Sequence, residues 1–238
     1  MKITKELLKE KGACAAGYRD FLKEYPVDKY PDGVEYQELL DCCAEKNFSY
    51  GSWLLGAFGE TDEIRKIDGD LIVEKGIIFA GQLEVEGCIK AGYGIKAGGG
   101  IKAGYGIKAG GDIEAGYGIK AGYGIKAGGG IKAGWGIEAG YGIEAGLGIK
   151  AGWGIEAGRG IKAGRGIEAG DGIKAGRGIE ADYGIEAGWG IEAGCECGIY
   201  AGLRCRITNK TLRKIIAKKR PENIMRGEFE EKSDSEGK

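Results

Sequence analysis

Histidine is absent from the 238 residues. Its absence removes the commonest side-chain general base near neutral pH and a common metal ligand. Proline occurs only three times and no Gly-X-Y period exists, so the fifty glycines do not build a collagen helix. No run of 18 apolar residues is present, and no membrane-spanning helix is expected. The opening "MKITKELLKEKG" contains no apolar core of signal-peptide length. An excess of either charge is also missing: the formal net charge is −1 and the pI about 5.9. No global field therefore drives the chain onto nucleic acid or membrane. The seven cysteines, at 14, 42, 43, 88, 195, 197 and 205, are odd in number and lack the spacing of a secreted framework. Free thiols and a cytoplasmic location are expected.

What is present is a six-residue word, Ile-(Lys/Glu)-Ala-Gly-x-Gly. Isoleucine stands at 89, 95 and every sixth position to 191, eighteen times without a missed step. Degenerate words precede it at Leu71/Val73, Ile77/Phe79 and Leu83/Val85. Within a word, Ile-Lys-Ala alternates as a short strand, with Ile and Ala on one face and the charge on the other. Gly-x-Gly is expected to turn the chain because glycine accepts backbone angles that other residues avoid. A three-residue strand is not stable as a hairpin, but it is stable when stacked on an equivalent strand one coil away. The fold class expected is mainly β, a β-solenoid in residues 67–203. Each buried isoleucine contributes about 1.5–3 kcal/mol toward ordering the glycine-rich backbone.

The charges choose the coil size. At a separation of 18 residues, nine of fifteen Lys/Glu pairs are of opposite sign; at 12, six of sixteen are. Unlike charges on neighbouring strands stabilise and like charges oppose. Three words per coil follow, with about seven coils at ~4.8 Å each in a rod near ~33 Å. The familiar left-handed hexapeptide helix places its small residue two positions before the aliphatic one, whereas here Ala follows Ile by two. Many proteins of that class are acyltransferases with a histidine base, which this chain lacks. In architecture the array is similar to the bactofilins, polymer-forming β-helix proteins.

Residues 1–66 read as a helical module. Thr4 caps a helix through Lys11, with Gly12 at its end. "ACAAGYRDFLKEY" forms a second helix stopped by Pro26, and "EYQELLDCCAEKN" a third with Tyr36, Leu39, Leu40 and Cys43 at helical spacing. "SYGSWLLGAF" adds a final apolar turn or helix around Trp53–Phe58. In Leu7, Leu8, Ala13, Cys14, Cys42 and the Trp53-Leu54-Leu55 run, this text resembles a helical module of uncharacterised phage and prophage proteins. The resemblance implies a viral or mobile-element origin, the host-cell cytoplasm, and a host protein as partner, with inhibition of a host defence system a fitting role.

Residues 204–238 form the third region. "RCRITNKTLRKIIAKKRP" carries eight Lys/Arg and no acid, so it either neutralises the glutamate-rich end of the rod or binds an acidic partner; an acidic tail follows.

The information in the array sits in the letters that change. The fifth position holds Tyr93, Tyr105, Tyr117, Tyr123, Trp135, Tyr141, Trp153, Tyr183 and Trp189, extended by Arg159, Arg165 and Arg177. These residues either shield glycine corners or form a contact surface, since Tyr, Trp and Arg are typical anchors. The second position is Lys seven times and Glu once over 90–132, then Glu seven times and Lys three over 138–192. Candidate partner-binding residues are Tyr105, Tyr123, Trp135, Tyr141, Trp153, Arg159, Arg165, Arg177, Trp189, Arg213, Lys214, Lys218, Lys219 and Arg220. The Lys-Tyr words also allow a single-stranded nucleic-acid reading, and the complementary halves allow a homo-oligomer. No P-loop, recurring-Asp calcium word or Thr ladder is present. Cys195, Cys197 and Cys205 lack a fourth zinc ligand. No catalytic residue, cofactor or metal site is expected; a non-enzymatic, protein-binding solenoid is.

Overall fold

The computed structural model describes residues 1–194, 197–202 and 214–232. Four helices come first: α1 (Lys5–Glu10), α2 (Ala15–Glu24), α3 (Tyr36–Lys46) and α4 (Phe48–Phe58). The Thr4 hydroxyl accepts the Leu7 N–H at 3.3 Å and caps α1, and Gly12 ends it at φ 77°. The Asn47 side chain accepts the Tyr50 N–H at 3.4 Å, so α4 begins well ahead of the apolar run at Trp53. Leu8, Phe21, Leu39, Leu40, Leu54 and Leu55 bury against one another. A short antiparallel ladder of Lys2–Ile3 with Val34–Glu35 ties the start of the chain to α3.

The remainder is a parallel β-solenoid of three sheets. Face I starts at Ile64–Ile67 and has eight strands; face II starts at Leu71–Val73 and face III at Ile77–Phe79, with nine each. Every strand of the array stacks on the strand 18 residues away, as Ile125 on Ile107 and Ile107 on Ile89. Three words per coil are thus confirmed. Nine stacked strands exceed the seven coils expected. The degenerate words before Ile89 form full strands, and so do segments of the basic region: Lys214–Ala217 joins face III, with Ile215 opposite Ile185. Eight steps of ~4.8 Å give a rod of about 38 Å. The array isoleucines and the alanines two residues on form one continuous core, each at most 3% exposed from Ile89 to Ile191.

The glycines work differently from the sequence expectation. None of the array glycines from Gly92 to Gly194 has positive φ. Instead, the fourth position, glycine in every full word but the one carrying Asp182, lies close over the coil beneath. A Cβ on Gly122 would meet the Gly104 carbonyl oxygen at 2.0 Å, and one on Gly134 the Gly116 oxygen at 1.9 Å. At the sixth position the same test gives 3.3 Å at Gly136, and Cys88 and Asp112 occupy that position in other words. Close backbone approach, rather than conformational freedom, favours glycine as the first residue of these corners.

The helical module docks against the first strand of face III. Ile78 points outward there, yet it is buried in the helical core. Gly51 of α4 leaves the room: a Cβ would come within 2.4 Å of the Ile78 Cδ1. Gln37 of α3 donates from Nε2 to the Ile78 carbonyl at 2.8 Å and accepts the Ala80 N–H on Oε1 at 3.0 Å. Its amide takes the place of a neighbouring strand. Arg65, on an inward position of the first coil, lies 4.5 Å over the Phe79 ring and 4.0 Å from Asp41 of α3.

Candidate functional site

The fifth position of each word falls on one of three edges, and its backbone is bonded coil to coil. Tyr123 N–H donates to the Tyr105 carbonyl at 3.1 Å, Tyr141 to Tyr123 at 3.2 Å and Trp153 to Trp135 at 3.3 Å. The main chain sets the spacing, and the side chains inherit it.

Between faces I and II lies a tyrosine edge. Tyr105 and Tyr123 stack with centroids 5.5 Å apart, and Tyr123 and Tyr141 at 5.0 Å, with planes within 16°. The Arg159 guanidinium carbon then lies 4.3 Å from the Tyr141 centroid, and Arg177 follows on the next coil. Between faces III and I lies a tryptophan edge. Tyr117 and Trp135 stack at 4.9 Å, Trp135 and Trp153 at 5.6 Å. Asp171 comes next and Trp189 after it. The Lys218 ammonium lies 5.0 Å from the Trp189 centroid, and the Lys219 N–H donates to the Trp189 carbonyl at 3.0 Å. Glu60, just after α4, accepts the Tyr117 hydroxyl at 2.7 Å and closes the other end. That hydrogen bond and the adjoining charge push the Tyr117 phenol up. The third edge, between faces II and III, holds Tyr93, Gly111, Gly129, Leu147, Arg165 and Tyr183, and forms no ring stack among the described residues.

The sequence-predicted residues thus separate. Tyr105, Tyr123, Tyr141, Arg159 and Arg177 share one edge. Trp135, Trp153, Trp189, Lys218 and Lys219 share another, and Arg165 stands apart. Lys214 pairs with Glu230, and Arg220 lies 5.5 Å over the Phe229 ring, so both are engaged within the last coils. Arg213, Cys195 and Cys205 lie outside the described residues. Tyr117 and Asp171 were missed as site residues; their place in an 18-residue column was the signal that could have found them.

Each face carries ion pairs between coils, interrupted by like-charged neighbours such as Lys90–Lys108–Lys126 on face II and Glu138–Glu156 on face I. Lys120 meets Glu138 at 2.8 Å, Lys126 meets Glu144 at 2.9 Å and Lys150 meets Glu168 at 2.7 Å. On face III, burial pushes the Glu114 carboxyl up, but Lys96 and Lys132 on either side outweigh it and hold it below the ordinary range. Beside the tryptophan edge a shallow groove of about 900 Å³ runs along face I, lined by its rings and by Lys120, Glu138 and Lys174. Its floor includes Gly118, Gly136 and Gly154, whose backbone N–H groups have no protein acceptor among the described residues. A chain carboxylate shows how such a group is satisfied: Asp112 Oδ1 accepts the Gly130 N–H at 2.6 Å on face III.

The helical module has its own cleft of about 400 Å³, walled by Phe21, Tyr25, Leu39 and Tyr50 with Cys14, Cys42 and Cys43. Burial pushes the Cys43 thiol up to about 12, which keeps it protonated and a poor nucleophile at neutral pH. No group of three metal-ligating side chains occurs among the described residues. No helix among them is long and apolar enough to cross a membrane. The chain is a β-solenoid behind a helical N-terminal region, and no family model, curated protein or solved structure matches it.

Proposed function

We propose that the chain is a non-enzymatic binding protein whose solenoid edges dock a protein partner. The closed stacking of the rings carries this reading. Inserting a base between two rings needs centroids about 7 Å apart, twice the aromatic contact distance. The ladders stand at 4.9–5.6 Å and are already filled by their own rings. They offer ring edges, hydroxyls and guanidinium groups on a rigid strip, the anchor types of protein interfaces. They do not offer open slots for successive bases of a single strand. The absence of histidine and the sameness of the carboxylates from word to word support a non-catalytic role. A host protein, a defence component included, is the partner class that the N-terminal resemblance implies.

Affinity capture from a bacterial lysate tests the reading, with wild type beside a Tyr123→Ala/Trp135→Ala double variant. A partner held by wild type and released by the variant is the expected result. Equal capture by both would remove the edges from the interface. Retention of short RNA or DNA on a filter, falling with salt, would transfer the function to nucleic acid.

Self-assembly is a second reading, favoured by one observation. At the start of the rod, Ile67, Leu71, Val73 and Ile77 are only partly buried, and Gln37 covers the edge of face III alone. The outer edges of Ile64–Ile67 and Leu71–Val73 have no strand beside them among the described residues. An open strand edge is a template for another chain. Light scattering that reports a monomer at every concentration would dismiss it.

A further inference from the structure

We propose that Trp153, Asp171 and Trp189 form a slot on the tryptophan edge that takes an arginine side chain of a protein partner. The proposal rests on the reading of the edges as protein-docking strips and names the chemistry one of them recognises.

The three residues are consecutive rungs of one column. The Asp171 N–H donates to the Trp153 carbonyl at 3.3 Å, and the Trp189 N–H to the Asp171 carbonyl at 3.0 Å. The two indoles are therefore two coil steps apart, about 10 Å. Contact with both rings at once needs roughly 7–8 Å, so a guanidinium in this gap stacks on one indole at a time. The carboxylate of Asp171 stands on the rung between them, exposed and without a hydrogen-bond or ion-pair partner among the described residues. Among the three tryptophans, Trp135, stacked on both sides, is 50% exposed, Trp153, stacked on one, 59%, and Trp189 65%. The Lys218 ammonium lies 5.0 Å from the Trp189 centroid, and most of the ring surface is still exposed.

The molecule itself shows what fits. On the tyrosine edge the rung after the third ring is Arg159, and its guanidinium stacks on Tyr141 at 4.3 Å. On the tryptophan edge the rung after the third ring is Asp171, so the equivalent ring face is bare and its neighbour carries the opposite charge. A cation over an indole face is attracted by the ring quadrupole, and Trp is the best of the aromatic acceptors. A guanidinium adds a planar fork that a carboxylate can hold by two hydrogen bonds. The surrounding charge agrees. Glu156 and Glu192 flank the slot on face I, separated by Lys174 in register, and neither has an ion-pair partner among the described residues. Glu168 and Glu186 on face III are paired with Lys150 and Lys232.

The test is titration of the ¹⁵N-labelled full chain with acetyl-Gly-Arg-Gly-amide, followed at the four indole N–H signals. The citrulline peptide, of the same shape without charge, is the control. Saturable shifts at Trp153 and Trp189, with Trp53 and Trp135 still, are expected. Affinity is expected to fall about tenfold with citrulline, and likewise with Asp171→Asn. Asp171→Arg fills the slot from within, as Arg159 does on the other edge, and is expected to abolish the response. Arginine already stands on corner rungs at 159, 165 and 177, so this variant is expected to keep the wild-type unfolding midpoint. Equal shifts at all four indoles, an unchanged response to citrulline, or full binding by Asp171→Arg would overturn the slot. A lysate partner that Asp171→Arg retains would overturn the slot and leave the protein-docking reading standing. Loss of that partner only in Asp171→Arg would support both.

Discussion

On the tyrosine edge the ladder Tyr105–Tyr123–Tyr141 runs into Arg159, whereas on the tryptophan edge Tyr117–Trp135–Trp153 runs into Asp171. The backbone is the same at both places, with corner N–H groups bonded to the coil before. One side chain completes the first stack and leaves the second incomplete. Their flanks differ as well. Lys102, Lys108, Lys120 and Lys126 border Tyr105 and Tyr123 while Glu138 and Glu144 border Tyr141; Lys132 and Glu138 border Trp135, and Lys150 and Glu156 border Trp153. The comparison teaches that the fold and the recognition chemistry are written at different positions of the word. Positions one, three and four build the rod. Positions two and five decide what each edge can meet.

The largest effects should come where that division is broken. Gly122→Ala on the tyrosine edge and Gly134→Ala on the tryptophan edge each drive a methyl into a carbonyl 2.0 or 1.9 Å away. Each is expected to cost about 3 kcal/mol or more in denaturant unfolding. Gly124→Ala and Gly136→Ala meet their nearest oxygen at 3.2 and 3.3 Å and should cost under about 1 kcal/mol. Equal costs at both positions would mean that close approach does not set the glycine pattern.

Next come the rings. Tyr123→Ala and Trp135→Ala each remove two stacked contacts and should cost about 1–2 kcal/mol in the same measurement. Trp153→Ala removes one and should cost less. A flat response across all three would show that the ladders exist for a partner and add nothing to stability.

Smaller again is the exchange of the two terminating residues. Arg159→Asp exposes the Tyr141 face at a cost of about 0.5–1 kcal/mol. It should also create a second arginine-peptide response, visible as a shift of the Tyr141 ring signals. If Tyr141 stays silent, the tryptophan faces themselves, rather than the vacancy, supply the affinity.

The smallest effect is electrostatic. Glu114 is held below the ordinary glutamate range in the folded chain, so its contribution is present above that range. It is lost as pH falls through the lowered folded-state value. Glu114→Gln should flatten that part of the acid limb of stability, an effect trimmed by solvent because the side chain is 36% exposed. An unchanged acid limb would remove the Lys96–Glu114–Lys132 chain from the list of stabilising contacts.

Much of this architecture was legible in the chain. Isoleucine at every sixth residue gave the strand, and the pairing of Lys120 with Glu138 or Lys126 with Glu144 gave the coil length. The edge stacks followed from adding 18 to Tyr105 and to Trp135. Other features depend on distances between backbones that no pattern of letters encodes. The carbonyl beneath Gly122 is one, since turns usually demand glycine for its φ. The docking of the helical module is another: Gln37 is one amide among many polar residues until its two bonds to Ile78 and Ala80 are seen. In the sequence Asp171 is simply an interruption, one acid at a corner position held elsewhere by aromatic, arginine, leucine or glycine residues. Only its place between two indoles turns that interruption into a candidate ligand.

Stacking at a fixed interval of 18 residues also sets the terms on which such a gene can change length. Loss or gain of three words, through unequal exchange between near-identical coding repeats, shortens or lengthens the rod by one coil and leaves every column intact. Loss of a single word rotates all later columns by one edge, so the tryptophan edge would continue into tyrosine-edge residues and Arg159 would land on it. The core would barely register either event, because each word supplies the same isoleucine and alanine. Copy number in multiples of three preserves what the edges recognise, and any other number rewrites it in one step.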